Sequence, residues 1–217
     1  MRISQPRMSH ITTLNHASDE QVADFLQTRL RRALARSAGR VAVAFPGGST
    51  PGPILELLAR EPLDWSRVQV FPTDDRDVEE EHAASNTGAL RRALEPSGAV
   101  VTPIAEGRDP PRYALVWLGM GEDGHIASLF PSADPQVDDS QAVRRITPDP
   151  LPPEAPFDRV TLTIPALLAC DEIVFVVRGL AKRAVFEGAI QGDHDLPVHR
   201  LLAARDQADP VPVTGFY

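Results

Sequence analysis

The chain has 217 residues, 42% of them apolar and 24% charged, which is typical of a folded protein with one sizeable core. Its formal net charge of −8 argues against general nucleic-acid binding, which depends on basic surface to neutralise phosphates. No apolar stretch is long enough for a membrane span, and a single cysteine, Cys170, excludes an internal disulfide and a cysteine-based metal site.

The N-terminal third alternates between helix and strand signals. Ser18 and Gln21 form a capping-box pattern, and apolar residues at helical spacing follow as far as a stop at Gly39. The run "VAVAF" (41–45) is typical of a strand buried on both faces. The glycine-rich segment "GGSTPGP" (47–53) follows this strand and leads into a second apolar helix.

The same alternation continues to the C-terminal part. Predicted strands are "VQVF" (68–71), "YALVWL" (113–118), "RVTLTI" (159–164) and "EIVFVV" (172–177). Predicted helices run from a cap at Ser85 or Asn86 to about Leu94, and over 180–190. This order predicts a single α/β domain over residues 1–217, an open, mainly parallel, Rossmann-like sheet with helices on both faces.

Polar, glycine-rich segments follow four of the predicted strands, at 46–50, 73–76, 119–125 and 178–182. In open parallel sheets, ligands bind beyond the carboxyl ends of the strands. We therefore expect these four loops to converge on one site.

The segment "FPGGSTP" (45–51) joins a buried strand to a helix. Gly47 and Gly48 let the backbone approach a ligand, Ser49 and Thr50 supply hydroxyls, and the helix N-terminus favours a phosphate. The alternative is a tight turn with a hydroxyl cap. The spacing is neither that of a P-loop nor that of the dinucleotide fingerprint.

Charged side chains follow two other predicted strands. "TDDR" (73–76) contains Asp74, Asp75 and Arg76, and arginine binds phosphate or carboxylate in a bidentate way. "VVRGLAKRA" (176–184) places Lys182 in the first turn of a helix, where a bound anion would offset its unfavourable interaction with the helix dipole. The alternative for both segments is a group of solvated charges.

The segment "LGMGEDGHIASLFP" (118–131) carries the strongest signal. Its three glycines, 119, 121 and 124, imply an unusual backbone path, and Asp123 and His125 lie within it. A neutral histidine can take a proton from water, and a nearby carboxylate can fix its tautomer. The alternative is a turn whose histidine caps a helix or faces solvent.

Other chemistries have weaker support. Asp75, Asp123 and His125 could hold a metal, but no metal-ligand spacing is present. Ser128 is not part of a nucleophile-elbow pattern, and Cys170 is predicted to be a buried small residue. We interpret the remaining histidines as surface residues: His10, His16, His82, His194 and His199.

Taken together, the motifs resemble the 6-phosphogluconolactonase family. The matching stretches are "FPGGSTP", "VFPTDDRDV" (70–78) with "SN" (85–86), "LGMGEDGHIASLFP", "RVTLTIPALL" (159–168) and "GLAKRA" (179–184), in the family's order. The resemblance implies the fold of the sugar-phosphate isomerases and deaminases. It also implies hydrolysis of 6-phospho-D-glucono-1,5-lactone in the oxidative pentose phosphate pathway, without a metal or another cofactor.

The resemblance also assigns roles to residues of this sequence. His125 would be the general base that activates water, with Asp123 supporting it. Arg76 and Lys182 would meet the phosphate or the developing oxyanion, and Asp74 would organise the pocket. The substrate site would be lined by Gly47, Gly48, Ser49 and Thr50.

The sequence departs from the family pattern at Asp75, where glutamate is usual, and at Glu122, where proline is common. The nearest alternative is a glucosamine-6-phosphate deaminase, which typically continues "DGHIA" with Phe-Asn-Glu-Pro. Here "SLFP" (128–131) follows, and the additional glutamate of the deaminase pattern is absent. A non-catalytic sugar-phosphate-binding protein is the second alternative, and it would need no base.

The partner expected from this resemblance is a small phosphorylated sugar lactone, and neither nucleic acid nor membrane is expected as a partner. The N-terminal "MRISQPRMSHITTLN" lacks the apolar core of a signal peptide, and a lone cysteine fits a reducing compartment. We therefore expect a cytoplasmic protein that is a monomer or a small homo-oligomer.

Overall fold

The computed structural model describes residues 11–153, 155–205 and 210–217. The strands are β1 (Ile11–Leu14), β2 (Val41–Phe45), β3 (Val68–Pro72), β4 (Asp74–Arg76), β5 (Val100–Val101), β6 (Leu115–Leu118), β7 (Val143–Ile146), β8 (Arg159–Leu162), β9 (Ile173–Val176) and β10 (Val213–Phe216). The α-helices are α1 (Asp19–Arg36), α2 (Pro51–Ala59), α3 (Asn86–Leu94), α4 (Ile164–Leu168), α5 (Leu180–Gln191) and α6 (Pro197–Arg205).

Seven strands form one open sheet in the order β1-β10-β9-β6-β2-β3-β5, and every pairing in it is parallel. The register of the central pair runs from Val41 opposite Val68 to Phe45 opposite Pro72. After β2 the chain moves outward through β3 and β5, and it then returns to the other side of β2 as β6. The two directions meet between β2 and β6, where doubly wound sheets open a crevice at the carboxyl edge.

Helices cover both faces of this sheet, as the alternation of helix and strand signals predicted. On one face, α1, α2 and α3 pack over a core that includes Leu26, Ile54 and Leu90. On the other face, α4, α5 and α6 enclose a second core that includes Phe186 and Leu201. Because β2, β6 and β9 are buried on both sides, they consist of continuous apolar runs rather than alternating ones.

A second, three-stranded sheet has the order β4-β8-β7 and is antiparallel. It contains the segment 159–162, which the sequence predicted as a strand without indicating a separate sheet. The register places Asp74 opposite Thr161 and Arg76 opposite Arg159. This small sheet therefore brings the "TDDR" segment against the "RVTLTI" segment, which lies far from it in the chain.

The helix caps follow the sequence pattern closely. Ser18 Oγ accepts from the backbone N–H of Gln21, and the Gln21 side-chain oxygen accepts from the backbone N–H of Ser18. The predicted capping box is therefore present. Ser85, rather than Asn86, caps α3 by accepting from the backbone N–H of Gly88. Within the described ranges, no helix is long and apolar enough to cross a membrane.

Several short elements had no clear sequence signal. These are the edge strands β1 and β5, the strands β4 and β7 of the small sheet, the C-terminal strand β10 and the helix α6. Two- to four-residue strands are defined by their pairing partners more than by local composition. β10, for example, lies between β1 and β9, an arrangement that only the tertiary fold creates.

Candidate active site

A cleft of about 240 Å³ opens at the carboxyl edge of the large sheet, above β2, β6 and β9. Residues from all four predicted loops line it, so their convergence, expected from the sequence, is present in the fold. It lies over the point between β2 and β6 where the strand order reverses. The predicted site residues on its wall are Gly47, Gly48, Ser49, Thr50, Asp74, Arg76, His125 and Lys182.

His125 and Asp123 contact each other directly. The His125 ring Nδ1 lies 2.6 Å from Asp123 Oδ1, and the His125 backbone N–H donates to the same oxygen at 3.2 Å. The hydrogen bond from His125 holds the pKa of Asp123 below its ordinary value, against the opposing effect of partial burial. Asp123 is thus held as a carboxylate beside the ring, just outside the cleft that His125 lines.

An ionised carboxylate only accepts hydrogen bonds, so the contact places a proton on Nδ1 of His125. The other ring nitrogen, Nε2, then has its lone pair available in the neutral ring. No described residue makes a hydrogen bond to Nε2. The ring also contacts Phe130, with centroids 4.8 Å apart, which restricts its orientation from a second side.

Two glycines allow the loop after β6 to take this path. A Cβ at Gly121 would overlap both the His125 ring and the Asp123 carboxylate. Gly124 has φ +76°, and its carbonyl accepts from the backbone N–H of Val198 at the start of α6. A Cβ at Gly119 would make only an ordinary contact with Pro46, so this position does not need glycine. Only two of the three glycines are therefore required by the backbone path. Ala127 has φ +50°, a left-handed conformation uncommon for a residue with a Cβ.

Asp74 is buried and forms part of the wall of the cleft. Its Oδ2 accepts a 2.6 Å hydrogen bond from Ser128 Oγ, and its Oδ1 accepts from Thr73 Oγ1 at 3.2 Å. Ser128 is itself buried, and its backbone N–H donates to Thr161 Oγ1. Ser128 therefore connects the loop after β6 to the small sheet, and its hydroxyl is not directed into the cleft as a nucleophile.

Asp75 does not line the cleft, and it instead binds the N-terminus of α3. Its carboxylate accepts from the backbone N–H groups of Asn86 at 2.6 Å and Thr87 at 2.9 Å, and from Thr87 Oγ1 at 2.5 Å. These bonds satisfy helix donors that would otherwise lack partners. Asp75 consequently lies apart from His125 and Asp123, and the three do not form a metal site.

Arg76 lines the cleft and donates from Nη1 to the backbone carbonyl of Ala84. Its Nε is buried without a hydrogen-bond partner. Arg159, its opposite in the small sheet, is also buried, and donates to the backbone carbonyls of Ala155 and Phe157. Burial and then the neighbouring Arg76 guanidinium lower the pKa of Arg159. Two guanidinium groups therefore raise the positive potential on this side of the cleft.

The loop after β2 supplies two unpaired hydroxyls and an unusual backbone. Gly48 has φ +100°, and a Cβ at Gly47 would overlap the side chain of Asn86. Thr50 makes no capping bond to α2, which starts at Pro51, a favourable first residue for a helix. Among the described residues, neither Ser49 nor Thr50 has a side-chain hydrogen-bond partner, so the hydroxyl cap proposed as the alternative is not formed.

Lys182 lies in the first turn of α5, and the described residues provide it with no ion-pair or hydrogen-bond partner. It is the only lysine of the sequence, which has 21 arginines. Arg178, just after β9, lines the same wall and forms a 2.9 Å ion pair with Asp19. Three cationic side chains, Arg76, Arg178 and Lys182, therefore face one small cleft on an acidic protein.

Comparisons with known proteins identify the family of this chain. A family model described as glucosamine-6-phosphate isomerases/6-phosphogluconolactonase matches residues 15–106 and 98–209. The 6-phosphogluconolactonase of Pseudomonas putida is 35% identical, with 93% of this chain and 94% of that protein covered. The chain belongs to the glucosamine-6-phosphate isomerase/6-phosphogluconolactonase family. A second family member, the 6-phosphogluconolactonase of Pseudomonas aeruginosa, is 36% identical over 81% of this chain and 83% of its own.

Solved structures of family members share the fold. A 6-phosphogluconolactonase from Shewanella baltica superposes with a TM-score of 0.78 at 22% identity, covering 97% of this chain and 100% of that one. A putative 6-phosphogluconolactonase from Neisseria gonorrhoeae superposes with a TM-score of 0.77 at 24% identity, covering 95% of this chain and 98% of that one. The family fold is therefore the fold of this chain.

Some residues of the site were missed from the sequence. Asn86 lines the cleft and donates from Nδ2 to the backbone carbonyl of Asp74. The sequence analysis included Asn86 in a family motif and as a possible helix cap, but did not assign it to the site. Arg178 lies in the predicted loop 178–182, but the sequence analysis named only Lys182 from that loop as a site residue. Trp117 and Met120 line the apolar part of the cleft and carry no sequence signal beyond burial.

The remaining histidines differ from one another. His16 and His82 are exposed, as expected, and His10 lies outside the described residues. His194 and His199 are half-buried and bond to the carbonyls of Val185 and Ala189 in α5, so describing them as surface residues was incomplete. Within the ranges described, no three His, Cys, Asp or Glu side chains are grouped as metal ligands.

Proposed function

We propose that this chain is a 6-phosphogluconolactonase, which hydrolyses 6-phospho-D-glucono-1,5-lactone to 6-phospho-D-gluconate. The observation that carries the proposal is the 2.6 Å contact between His125 Nδ1 and Asp123 Oδ1 at a cleft with three cationic side chains. A base and a cluster of cations are what hydrolysis of a phosphorylated lactone requires. The names of the family members support the same reaction.

In this mechanism His125 acts as the general base. Nε2 takes a proton from a water molecule as the water oxygen attacks C1 of the lactone. The Asp123 carboxylate stabilises the imidazolium that forms and keeps the ring oriented. When the tetrahedral intermediate collapses, the bond between C1 and the ring oxygen breaks, and the imidazolium returns the proton to that oxygen.

The cations divide two tasks between them. The substrate carries a phosphate throughout, and an oxyanion develops at C1 only during the reaction. Arg76, with its buried unpartnered Nε, and Lys182, with no protein partner, are the groups available for these charges. The loop after β2 presents backbone and hydroxyl groups to the same ligand, from Gly47, Gly48, Ser49 and Thr50. Asp74 stabilises the wall of the cleft through its bond to Ser128.

The family model also covers glucosamine-6-phosphate isomerases. A reaction on an amino-sugar phosphate, such as the deaminase reaction, is therefore the principal alternative. The deaminase pattern has a further acid after "DGHIA", at a position where this chain has "SLFP". Here Ser128 is bonded to Asp74, Leu129 is buried and Phe130 contacts His125. The segment thus orients the base and holds the loop, and it offers no second carboxylate for ring opening of an amino sugar.

The test follows hydrolysis of freshly generated 6-phosphoglucono-1,5-lactone above its spontaneous rate. We expect His125→Ala to lower kcat/KM by about 10²- to 10⁴-fold, the usual contribution of a general base. The matched control is His16→Asn, at an exposed histidine outside the cleft whose left-handed φ asparagine tolerates. If His125→Ala retained the parent rate, or if the protein released ammonia from glucosamine 6-phosphate instead, the proposal would be wrong.

The assignment of the cations has its own test. Replacing Lys182 or Arg76 with alanine should reduce activity on the phosphorylated lactone far more than on unphosphorylated gluconolactone, if the replaced side chain binds phosphate. Lys182→Arg should restore only part of the loss, because a guanidinium fork and a compact ammonium differ in geometry. Equal losses on both lactones would assign the side chain to the oxyanion instead.

Cytoplasmic location is part of the same proposal. The only cysteine, Cys170, is buried and has no cysteine to pair with, which fits a reducing compartment. We also propose that the protein works as a monomer or a small homo-oligomer without nucleic acid. Size-exclusion chromatography with light scattering would determine the oligomeric state.

A further inference from the structure

A second cleft, of about 530 Å³, lies at the opposite edge of the large sheet. Its walls include Val41 at the start of β2, Ala114 just before β6 and Glu172 just before β9. It therefore lies at the amino ends of the same strands whose carboxyl ends carry the candidate active site. The length of β2 separates the two clefts by about 13 Å, given the rise per residue of a strand.

Five arginines line this cleft, on a protein whose net charge is −8. They are Arg29, Arg32, Arg36, Arg40 and Arg112. Two acidic residues oppose them: Arg29 pairs with Glu172 at 2.5 Å, and Arg112 pairs with Asp171 at 2.9 Å. Two of the five positive charges are thus neutralised within the cleft, and three remain.

The three remaining arginines, Arg32, Arg36 and Arg40, are exposed and have no hydrogen-bond or ion-pair partner among the described residues. Arg29, Arg32 and Arg36 follow one another at intervals of three and four on α1, so they share one helix face. Like charges at this spacing destabilise a helix. Arg36 in the last turn interacts favourably with the helix dipole, but that interaction does not account for the whole group.

We propose that this cleft, here named the amino-edge cleft, binds a small anion that carries two or more linked phosphate groups. Arg32 and Arg36 are one helical turn apart, about 6 Å along the axis. Guanidinium groups at that spacing can bind successive phosphates of a linear di- or triphosphate through bidentate hydrogen bonds. The concave shape and the three free charges favour a compact polyanion over an extended chain.

The amino-edge cleft is a separate site from the active-site cleft. Its cations are distributed around His125 and the loop after β2, and its volume is less than half that of the amino-edge cleft. The two sites share no lining residue. Binding at the amino-edge cleft is therefore separable from lactone hydrolysis, and the inference does not depend on the proposed function.

The probe is inorganic tripolyphosphate, titrated by isothermal calorimetry at constant ionic strength. We expect the tightest site to be weakened at least tenfold in the Arg32→Ala/Arg36→Ala double variant. Both substitutions lie on the exposed face of α1, where alanine is a better helix former, so the fold is retained. The matched control is Arg31→Ala, which removes an exposed arginine of the same helix that does not line the cleft.

Lys182→Ala separates the two sites, since it removes a cation of the active-site cleft only. We expect it to leave the affinity of the tightest tripolyphosphate site unchanged within twofold. The proposal is overturned by absence of binding, by equal binding of parent and double variant, or by loss of binding in Lys182→Ala. Equally tight binding of a poly-glutamate peptide would also overturn it, because the cleft would then serve an acidic protein partner.

Discussion

Ser128 Oγ donates a 2.6 Å hydrogen bond to Asp74 Oδ2, joining two segments 54 residues apart in the chain. Both residues are buried, and the bond ties the loop that carries His125 to the small antiparallel sheet that carries Arg76. His125 and Arg76 are thereby held in a fixed relation to each other. Neither residue needs to contact substrate for this bond to affect the geometry of the site.

Ser128→Ala should therefore destabilise the protein. The substitution leaves a buried carboxylate with only the longer bond from Thr73, and an unsatisfied buried acceptor costs about 1–3 kcal/mol. Urea unfolding followed by circular dichroism measures the change in the free energy of unfolding. Ser140→Ala, at an exposed serine, is the control and should stay within about 0.5 kcal/mol. Equal stability of the two variants would mean that the bond contributes nothing.

Gly121→Ala should impair activity with little loss of fold. The new Cβ overlaps both the His125 ring and the Asp123 carboxylate, so one or both must move. A displacement of about 1 Å can lower kcat/KM by about 100-fold, which steady-state kinetics on the lactone would detect. Gly52→Ala is the control, because a Cβ there meets no atom within 4 Å. Parent-like kinetics in Gly121→Ala would contradict the close approach described here.

Asp123→Asn should lower kcat/KM for hydrolysis of the lactone. If His125 takes a proton from water as proposed, the neutral amide cannot stabilise the imidazolium as the carboxylate does, and its NH2 group can favour the wrong ring tautomer. We expect a loss of up to about 10⁴-fold, measured by steady-state kinetics at constant pH. Parent-like kinetics would mean that Asp123 does not act on His125.

The same pair has a predictable effect on stability. Since the hydrogen bond from His125 lowers the pKa of Asp123 in the folded state, the ionised carboxylate favours folding. That contribution is present above the ordinary carboxyl range and is lost as the pH falls through the lowered folded-state value. Urea midpoints should thus converge for the parent and Asp123→Asn at low pH. If the two midpoints moved apart as the pH falls, the ionised Asp123 would not stabilise the folded state.

Cys170 should be unreactive in the native protein. Burial raises the pKa of its thiol to about 12, so almost no thiolate is present near neutral pH. A colorimetric disulfide reagent should detect no thiol in the native state and one after denaturation in urea. Rapid labelling of the native protein would show that the region around β9 opens readily.

Much of the fold could be predicted from the sequence, because strands buried on both faces and amphipathic helices have clear periodicity. The runs 41–45 and 68–71 and the helix beginning at Ser18 all form where the patterns predicted them. Edge strands and the small antiparallel sheet could not be predicted in this way. β4 is three residues long and highly polar, and it exists because β8 pairs with it.

For the site, the sequence by itself determined which loops meet, because parallel strands place their carboxyl ends at one edge of the sheet. It also determined that His125 and Asp123 lie in one tight turn. Only the tertiary structure decided the different roles of the two neighbouring acids: Asp74 bonds to Ser128 in the cleft wall, and Asp75 accepts from the first backbone N–H groups of α3. That division depends on which distant hydrogen-bond donors reach each carboxylate, and adjacent residues of a strand point to opposite faces. The five arginines of the amino-edge cleft were likewise gathered by packing, since no local pattern links α1 to the segment before β6.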